Sequence, residues 1–163
     1  IPFCNNMEIL ATELDKVKCD GGNDNQEDWV GALQLALDGL EWREGSKKLM
    51  IWVADANAHG RRFNGGNFDN HNEEEGKLEP LVRRMAKERI YFNGFNIMKG
   101  DDGCKLTLEA IKDWYESAGG PGFLVQEFHP IKDPDLDDDD WPPEEIGKFT
   151  DTLKTTMAGF KFD

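Results

Sequence analysis

The chain has 163 residues, enough for one domain with a hydrophobic core and too few for two comfortable ones. Its 19 Lys and Arg against 33 Asp and Glu give a formal net charge of −14, which argues against nucleic acid or an anionic membrane as a direct partner. A basic protein surface or a cation fits this charge better, although acidity alone also keeps a protein soluble.

Cysteine usage and hydropathy favour a reducing, cytoplasmic compartment. The 3 cysteines form no CxxC pair, and no signal peptide precedes the first predicted helix. The apolar runs are much shorter than the roughly 20 residues of a membrane span, so membrane insertion is not expected. Because the chain begins at Ile1 rather than Met, we expect it to be part of a larger protein or assembly.

The first third of the chain predicts two helices and then a buried strand. The short apolar segment 1–4 is typical of the end of a strand, and Asn5 and Glu8 are spaced as a capping box for the first helix. A second helix is predicted from Glu27 to Leu40, after the glycine-containing loop 19–28. The apolar run 48–54 then ends abruptly at Asp55, as expected for a central strand of a parallel sheet.

The rest of the chain alternates between helices and strands. The loop 57–76 is predicted to be irregular, and Pro80 suits the first turn of a third helix. A strand over 90–98, a fourth helix and a strand over 123–128 follow. The segment 130–143 is predicted to be an exposed acidic, proline-rich connection, and 144–160 an amphipathic C-terminal helix. The apolar face of that last helix contains Ile146, Phe149, Leu153, Met157 and Phe160.

This order of elements predicts an α/β fold with a doubly wound, mostly parallel sheet flanked by helices. Residues 1–163 are interpreted as one domain, and about four visible strands are few for five helices to cover. We therefore expect that one or two further strands precede Ile1 in the complete protein. Ligands of such sheets bind outside the carboxyl ends of the strands, which directs attention to Asp55.

Two motifs at this separation resemble the von Willebrand factor A family. They are GGNDNQED at residues 21–28 and VADANAHG at 53–60, and the loop and strand up to residue 97 extend the similarity. The sequence is most similar to the intracellular type associated with alpha-kinases, and the resemblance covers about residues 1–160. It implies a Rossmann-like fold and a protein-binding module that binds its partner at the carboxyl edge of the sheet.

The resemblance also implies a site for a divalent cation, with Mg²⁺ as the expected ion. Asp55 matches the family's Asp after the fourth strand, and Asp24 lies where the family has a Thr. The family's DxSxS motif has no counterpart, because the chain contains only Ser46 and Ser117. The metal site is therefore expected to be incomplete, or lost in favour of a metal-free protein-binding surface.

Four residues are candidates for partner binding at this edge: Asp55, His59, Arg61 and Arg62. The two arginines could contact an acidic partner or balance local carboxylates. His59 and His71 could be metal ligands or catalytic bases, or loop histidines that fix the backbone through their ring nitrogens. Cys104 is interpreted as a buried structural cysteine.

The sequence favours a non-catalytic scaffold or adhesion module over an enzyme. No GxGxxG, GxxxxGK[ST] or GxSxG motif occurs, and nothing corresponds to the catalytic residues of an alpha-kinase. Two alternatives remain. One is a structural subunit of a large assembly that docks through the acidic connection and the last helix, and the other is a small α/β hydrolase that uses Asp55 as its acid.

Overall fold

Three parallel strands form the centre of the described part of the chain. They are β1 (Lys48–Ala54), β2 (Ile90–Asn96) and β3 (Phe123–Glu127), hydrogen-bonded in the order β1-β2-β3. This computed structural model describes residues 6–14, 16–17, 24–66, 69–97, 104–129 and 142–159. The parallel sheet flanked by helices confirms the predicted α/β, Rossmann-like architecture.

The described residues also include five α-helices. They are α1 (Met7–Leu14), α2 (Trp29–Asp38), α3 (Glu75–Lys87), α4 (Lys105–Ser117) and α5 (Pro143–Gly159). The α2 helix begins where the side chain of Asp28 accepts a hydrogen bond from the backbone N–H of Gly31, at 2.6 Å. Helix α3 connects β1 to β2, and α4 connects β2 to β3, as parallel strands require a crossover.

The two faces of β2 contact different helices. Side chains along a strand point alternately to the two faces of the sheet, so Phe92 and Phe95 lie on opposite faces. On one face the ring of Phe92 stacks on Phe123 of β3, with ring centroids 4.8 Å apart. On the other face Phe95 meets Phe149 of α5 edge to face, at 5.2 Å. All seven residues of β2 are buried, so β2 is the covered central strand of the described sheet. The prediction that β1 is a central strand is wrong for this sheet: β1 lies at its edge, and Ile51 and Val53 are 38% and 45% exposed.

The main core lies between the sheet and the layer of α2, α3 and α4. Trp29 of α2 contacts Trp52 of β1 with ring centroids 4.9 Å apart, and Tyr115 of α4 donates a hydrogen bond to the Ile90 carbonyl at 2.6 Å. Helix α3 contributes Leu78, Val82, Met85 and Ala86 to this core as buried residues, and Leu81 packs against it half-buried.

The prediction for Pro80 is wrong. Pro80 was expected in the first turn of a helix, but α3 begins at Glu75, directly after a short 3₁₀ helix (Asn72–Glu74) in the loop predicted to be irregular. A proline at this position removes a hydrogen bond to the carbonyl of Gly76, four residues earlier. Both Gly76 and Pro80 are exposed, so water can solvate that carbonyl and the helix continues.

The predicted apolar face of α5 is only partly right. Phe149 and Leu153 are half-buried, whereas Ile146 and Met157 are 51% and 50% exposed. The side that meets the sheet instead includes Thr156, which accepts a hydrogen bond from Gln126 Nε2 at 2.9 Å. Part of the contact between α5 and β3 is therefore polar, although the sequence pattern predicted only apolar side chains there.

Several predicted segments lie outside the described residues. These are the strand end at 1–4, nearly all of the acidic connection at 130–141, and Phe160. Within the described residues no helix has the length and apolar composition that a membrane span needs.

Candidate functional site

Two loops join at the carboxyl end of β1. The backbone N–H of Glu27 donates to the Asn57 carbonyl at 2.9 Å, and Glu27 and Ala58 form an isolated parallel bridge. The indole N–H of Trp29 donates to the Ala56 carbonyl at 3.1 Å. The loop before α2 is thereby fixed beside the loop after β1, which brings the two motifs of the family resemblance together.

Helix α4 is hydrogen-bonded to the loop after β1 and fixes its position. The Oδ1 of Asn57 accepts hydrogen bonds from the backbone N–H and the hydroxyl of Thr107, both at 3.0 Å. The hydroxyl of Thr107 in turn accepts from the backbone N–H of Ala58 at 2.8 Å. Since Thr107 and Ala58 are buried, these bonds are shielded from water and hold the loop firmly.

The predicted partner-binding residues occupy different environments. Asp55, Arg61 and Arg62 are exposed, whereas His59 is only 8% exposed. The guanidinium of Arg62 lies 4.8 Å from the ring centroid of Trp114, a cation–π contact that restricts the side chain. Three of the four residues therefore offer surface to a partner, and the fourth lies beneath that surface.

His59 pairs with a buried carboxylate that the sequence analysis did not single out. Its Nδ1 lies 3.1 Å from Oδ1 of Asp69, which is 4% exposed. The two oxygens of Asp69 also accept from the backbone N–H groups of Gly60, at 2.9 Å, and His71, at 2.7 Å. The only sequence signal for this role is an Asp two residues before a histidine in a polar loop.

These hydrogen bonds determine the ionisation of Asp69. Burial by itself raises the pKa of the carboxyl group, but the hydrogen bonds from Gly60, His71 and His59 outweigh burial, so the pKa lies below its ordinary value. An ionised carboxylate only accepts hydrogen bonds, and therefore Nδ1 of His59 carries the proton.

His59, His71 and Asp24 converge on one point. The rings of the two histidines meet edge to face with centroids 4.7 Å apart. One potential ligand atom from each of the three residues lies within 4.8 Å of the others. A second group of the same kind consists of His71, Glu73 and Glu74. Within the described residues Asp55 belongs to neither group.

The donors around Asp24 fit Mg²⁺ poorly. Mg²⁺ prefers oxygen ligands in octahedral geometry, whereas Asp24 is grouped with two imidazoles. The hydroxyl of Thr107, which contacts the loop after β1, is engaged by Asn57 and Ala58. Joint binding of Mg²⁺ by Asp24 and Asp55 therefore stays a prediction from the resemblance.

Cys104 lies at the start of α4 as a buried, protonated thiol. Its Sγ donates to Oδ1 of Asn96 at 3.3 Å, and burial raises the pKa of the thiol to about 12. The carboxylates of Glu127 and Asp55 contribute a smaller part of this rise in the pKa. The side chain is thus a packing and hydrogen-bonding group rather than a nucleophile.

Comparison with known proteins identifies no relative: no family model, no curated protein and no solved structure matches the chain.

Proposed function

We propose that this chain is a non-catalytic protein-binding module of a larger cytoplasmic protein, of the von Willebrand A type that its motifs resemble. Its partner binds at the carboxyl edge of the sheet, on the exposed side chains of Asp55, Arg61 and Arg62, with His59 beneath them. The observation that carries the proposal is the firm attachment of this edge to the fold, through the Glu27–Asn57 bond and the Asn57–Thr107 hydrogen bonds.

A fixed edge with exposed charges suits recognition. Side chains on a rigid base lose less conformational freedom on binding than side chains on a loose loop. The edge carries both signs of charge, since Asp55 is acidic and Arg61 and Arg62 are basic. A partner with the complementary arrangement gains specificity and a faster association rate from these charges.

The chemistry at this edge favours binding over catalysis. Its two potential nucleophiles in the described part of the chain are the Thr107 hydroxyl and the Cys104 thiol. The hydroxyl donates to Asn57 and accepts from Ala58, and the thiol is held protonated with its pKa at about 12. Neither has a base positioned to remove its proton, so the hydrolase alternative gains no support here.

The assembly alternative uses the acidic connection, nearly all of which lies outside the described residues, and the apolar face of α5, where Ile146 and Met157 are 51% and 50% exposed. Phe149, at the middle of that face, contacts Phe95 of β2 and Phe128, with ring centroids 5.2 and 5.0 Å apart. This part of the helix therefore serves the protein's own core. The alternative is not favoured by the packing of Phe149.

The test is partner capture with a variant that changes only exposed side chains. The double variant Asp55→Ala, Arg61→Ala leaves Asp24, His59 and His71 in place. We expect it to lose, by tenfold or more, the proteins that the wild-type chain retains from a cell extract, as measured by quantitative mass spectrometry. Loss of hot-spot charges at an interface commonly weakens binding by about this factor or more.

The matched control is Glu109→Ala, Lys112→Ala on the exposed side of α4, which also removes one acidic and one basic residue. Because the control face lies on a different element, it should retain the same proteins as the wild type. Equal capture by both double variants would refute the proposed binding edge.

A further inference from the structure

We propose that Asp24, His59 and His71 bind one divalent transition-metal ion, with Zn²⁺ as the best match. The proposal is independent of the protein-binding function, because it concerns different donor atoms from the exposed charges of Asp55, Arg61 and Arg62. Four features support it: the type of donors, their spacing, the hydrogen bonds of Asp69 with the histidines and the unpartnered oxygens beside them.

The donor set is the first argument. Two imidazole nitrogens and one carboxylate oxygen are ligands that Zn²⁺ binds well, and three protein ligands leave a fourth tetrahedral position for water. Imidazole also suits copper, nickel and iron, whereas carboxylates, carbonyls and water suit magnesium and calcium. The set of Asp24, His59 and His71 thus selects for the transition metals.

The spacing is compatible with a single ion. The ligand atoms of the three residues lie within 4.8 Å of one another. In a tetrahedral zinc site with bonds of 2.0–2.2 Å the ligand atoms are about 3.3 Å apart. To bind one ion, the ligand atoms must move slightly closer together. Asp24 and His71 can make this movement because both are exposed, while His59 is buried.

Asp69 contacts two of the three proposed ligands. It hydrogen-bonds Nδ1 of His59, the kind of contact by which carboxylates commonly support histidine ligands of zinc. The same carboxylate accepts from the backbone N–H of His71 at 2.7 Å. One buried group therefore fixes the ring of His59 and the backbone of His71.

The oxygens next to His71 provide an independent observation. Oδ1 of Asn72 and Oε2 of Glu74 are buried and have no hydrogen-bond partner. A buried carboxylate or amide oxygen without a donor is unfavourable unless a positive charge or a donor compensates it. Glu73 and Glu74 also offer ligand atoms within 4.8 Å of His71. A cation bound to His71 adds positive charge next to this second group of carboxylates.

A purely structural role explains only part of the cluster. The bond with Asp69 fixes the backbone of the loop and accounts for the burial of His59. It does not account for the convergence of His71 and Asp24, two exposed residues from separate loops, on His59. Metal binding accounts for both.

The test is metal binding by the purified chain after treatment with a chelator. Zn²⁺ is titrated in competition with a chromogenic chelator, in excess Mg²⁺ to occupy general acidic sites, and Co²⁺ serves as a spectroscopic probe of tetrahedral coordination. We expect a single equivalent of Zn²⁺ to bind, and the Co²⁺ complex to show the intense visible absorption of a tetrahedral site. His71→Ala and Asp24→Asn should each weaken binding by tenfold or more and remove the Co²⁺ spectrum.

The controls are His129→Ala and Asp113→Asn, which remove the same side-chain types from exposed or half-exposed positions on other elements. Circular dichroism of every variant checks that the fold is retained, which is expected because Asp24 and His71 are exposed. The proposal is overturned if no stoichiometric Zn²⁺ binds, or if His71→Ala and Asp24→Asn bind Zn²⁺ as tightly as the two controls. Neither outcome bears on partner capture by the Asp55 and Arg61 variant.

Discussion

Asp69 accepts several of the hydrogen bonds that fix the positions of residues 59, 60 and 71, and no sequence pattern predicts this role. It binds the backbone N–H groups of Gly60 and His71 and the ring of His59 while it is itself buried. A hydrogen bond to a charged group contributes more to stability than a neutral one. A single carboxylate thereby holds together a loop that has little regular structure of its own.

Asp69→Ala should therefore destabilise the fold. We expect the free energy of unfolding to fall by about 3 kcal/mol, because two backbone donors and a histidine ring lose their buried acceptor. Urea denaturation monitored by circular dichroism measures this change. The control Asp113→Ala, an exposed position on α4, should change the free energy by less than about 0.5 kcal/mol. A change of similar size in both variants would contradict the role given to Asp69.

Cys104 offers a prediction about pH. Burial raises the pKa of its thiol from the ordinary 9.0 to about 12. The neutral thiol is therefore favoured in the folded chain, and its contribution to stability is complete below pH 9 and lost as the pH rises toward 12. At pH 9 we expect iodoacetamide to alkylate Cys104 far more slowly in the native chain than in the urea-unfolded chain, as measured by peptide mass spectrometry. Equal rates would show that the thiolate is accessible in the folded state.

At the scale of single elements, a glycine of β2 and a glycine of α5 differ in the space available for an added side-chain methyl group. A Cβ at Gly94 of β2 would lie 2.9 Å from Leu108 Cδ2 and from Phe92 Cε1, whereas one at Gly147 of α5 meets nothing within 4 Å. The first position is therefore fully packed between the strand and α4, and the second faces solvent.

Gly94→Ala should lower the free energy of unfolding by about 1–3 kcal/mol, because the added methyl group forces the packed core apart. Gly147→Ala, the matched control, should raise it by roughly 0.5–1 kcal/mol, because alanine favours the helix. Chemical denaturation of both variants gives the two values. Destabilisation of the same size at Gly147 would contradict the solvent-facing position of that residue.

The elements were largely predictable because their residues repeat with the period of a helix or a strand. The stripe of Leu78, Val82, Met85 and Ala86 on α3 reports burial directly. The apolar run of β1 predicted a strand correctly but not its burial, since β1 lies at the edge of the described sheet and Ile51 and Val53 are exposed. Helix α5 was harder, since its contact with the sheet includes Thr156 and leaves Ile146 and Met157 half exposed. The helical period of the sequence alone does not show whether a polar residue contacts the sheet or faces solvent.

The site was less predictable than the fold. Asp55, Arg61 and Arg62 lie exposed at the expected edge. His59 and Asp69, however, belong to an irregular loop, whose sequence has no helical or strand period that would predict their pairing. The meeting of Asp24 with His59 and His71 depends on the backbone bond between Glu27 and Asn57, which has no side-chain signature. The resemblance to von Willebrand A domains stays a prediction.

For the whole molecule, the formal net charge of −14 dominates long-range electrostatics. A large excess of one charge destabilises the compact state through self-repulsion, and added salt screens this repulsion. The melting temperature should therefore rise as NaCl is increased from about 10 to about 150 mM, at fixed pH near neutrality. Scanning calorimetry measures the shift, and a melting temperature that falls with NaCl would show that attractive ion pairs outweigh the net repulsion.

The short bridge between Glu27 and Ala58 also affects the kinetics of recognition. Glu27 and Ala58, from two loops far apart in the chain, are joined before any ligand arrives, so association requires little reorganisation of the backbone. Backbone rearrangement should therefore not slow the association of any partner with this edge. Differences in association rate would then reflect charge complementarity, and further differences in affinity would reflect how long each complex survives.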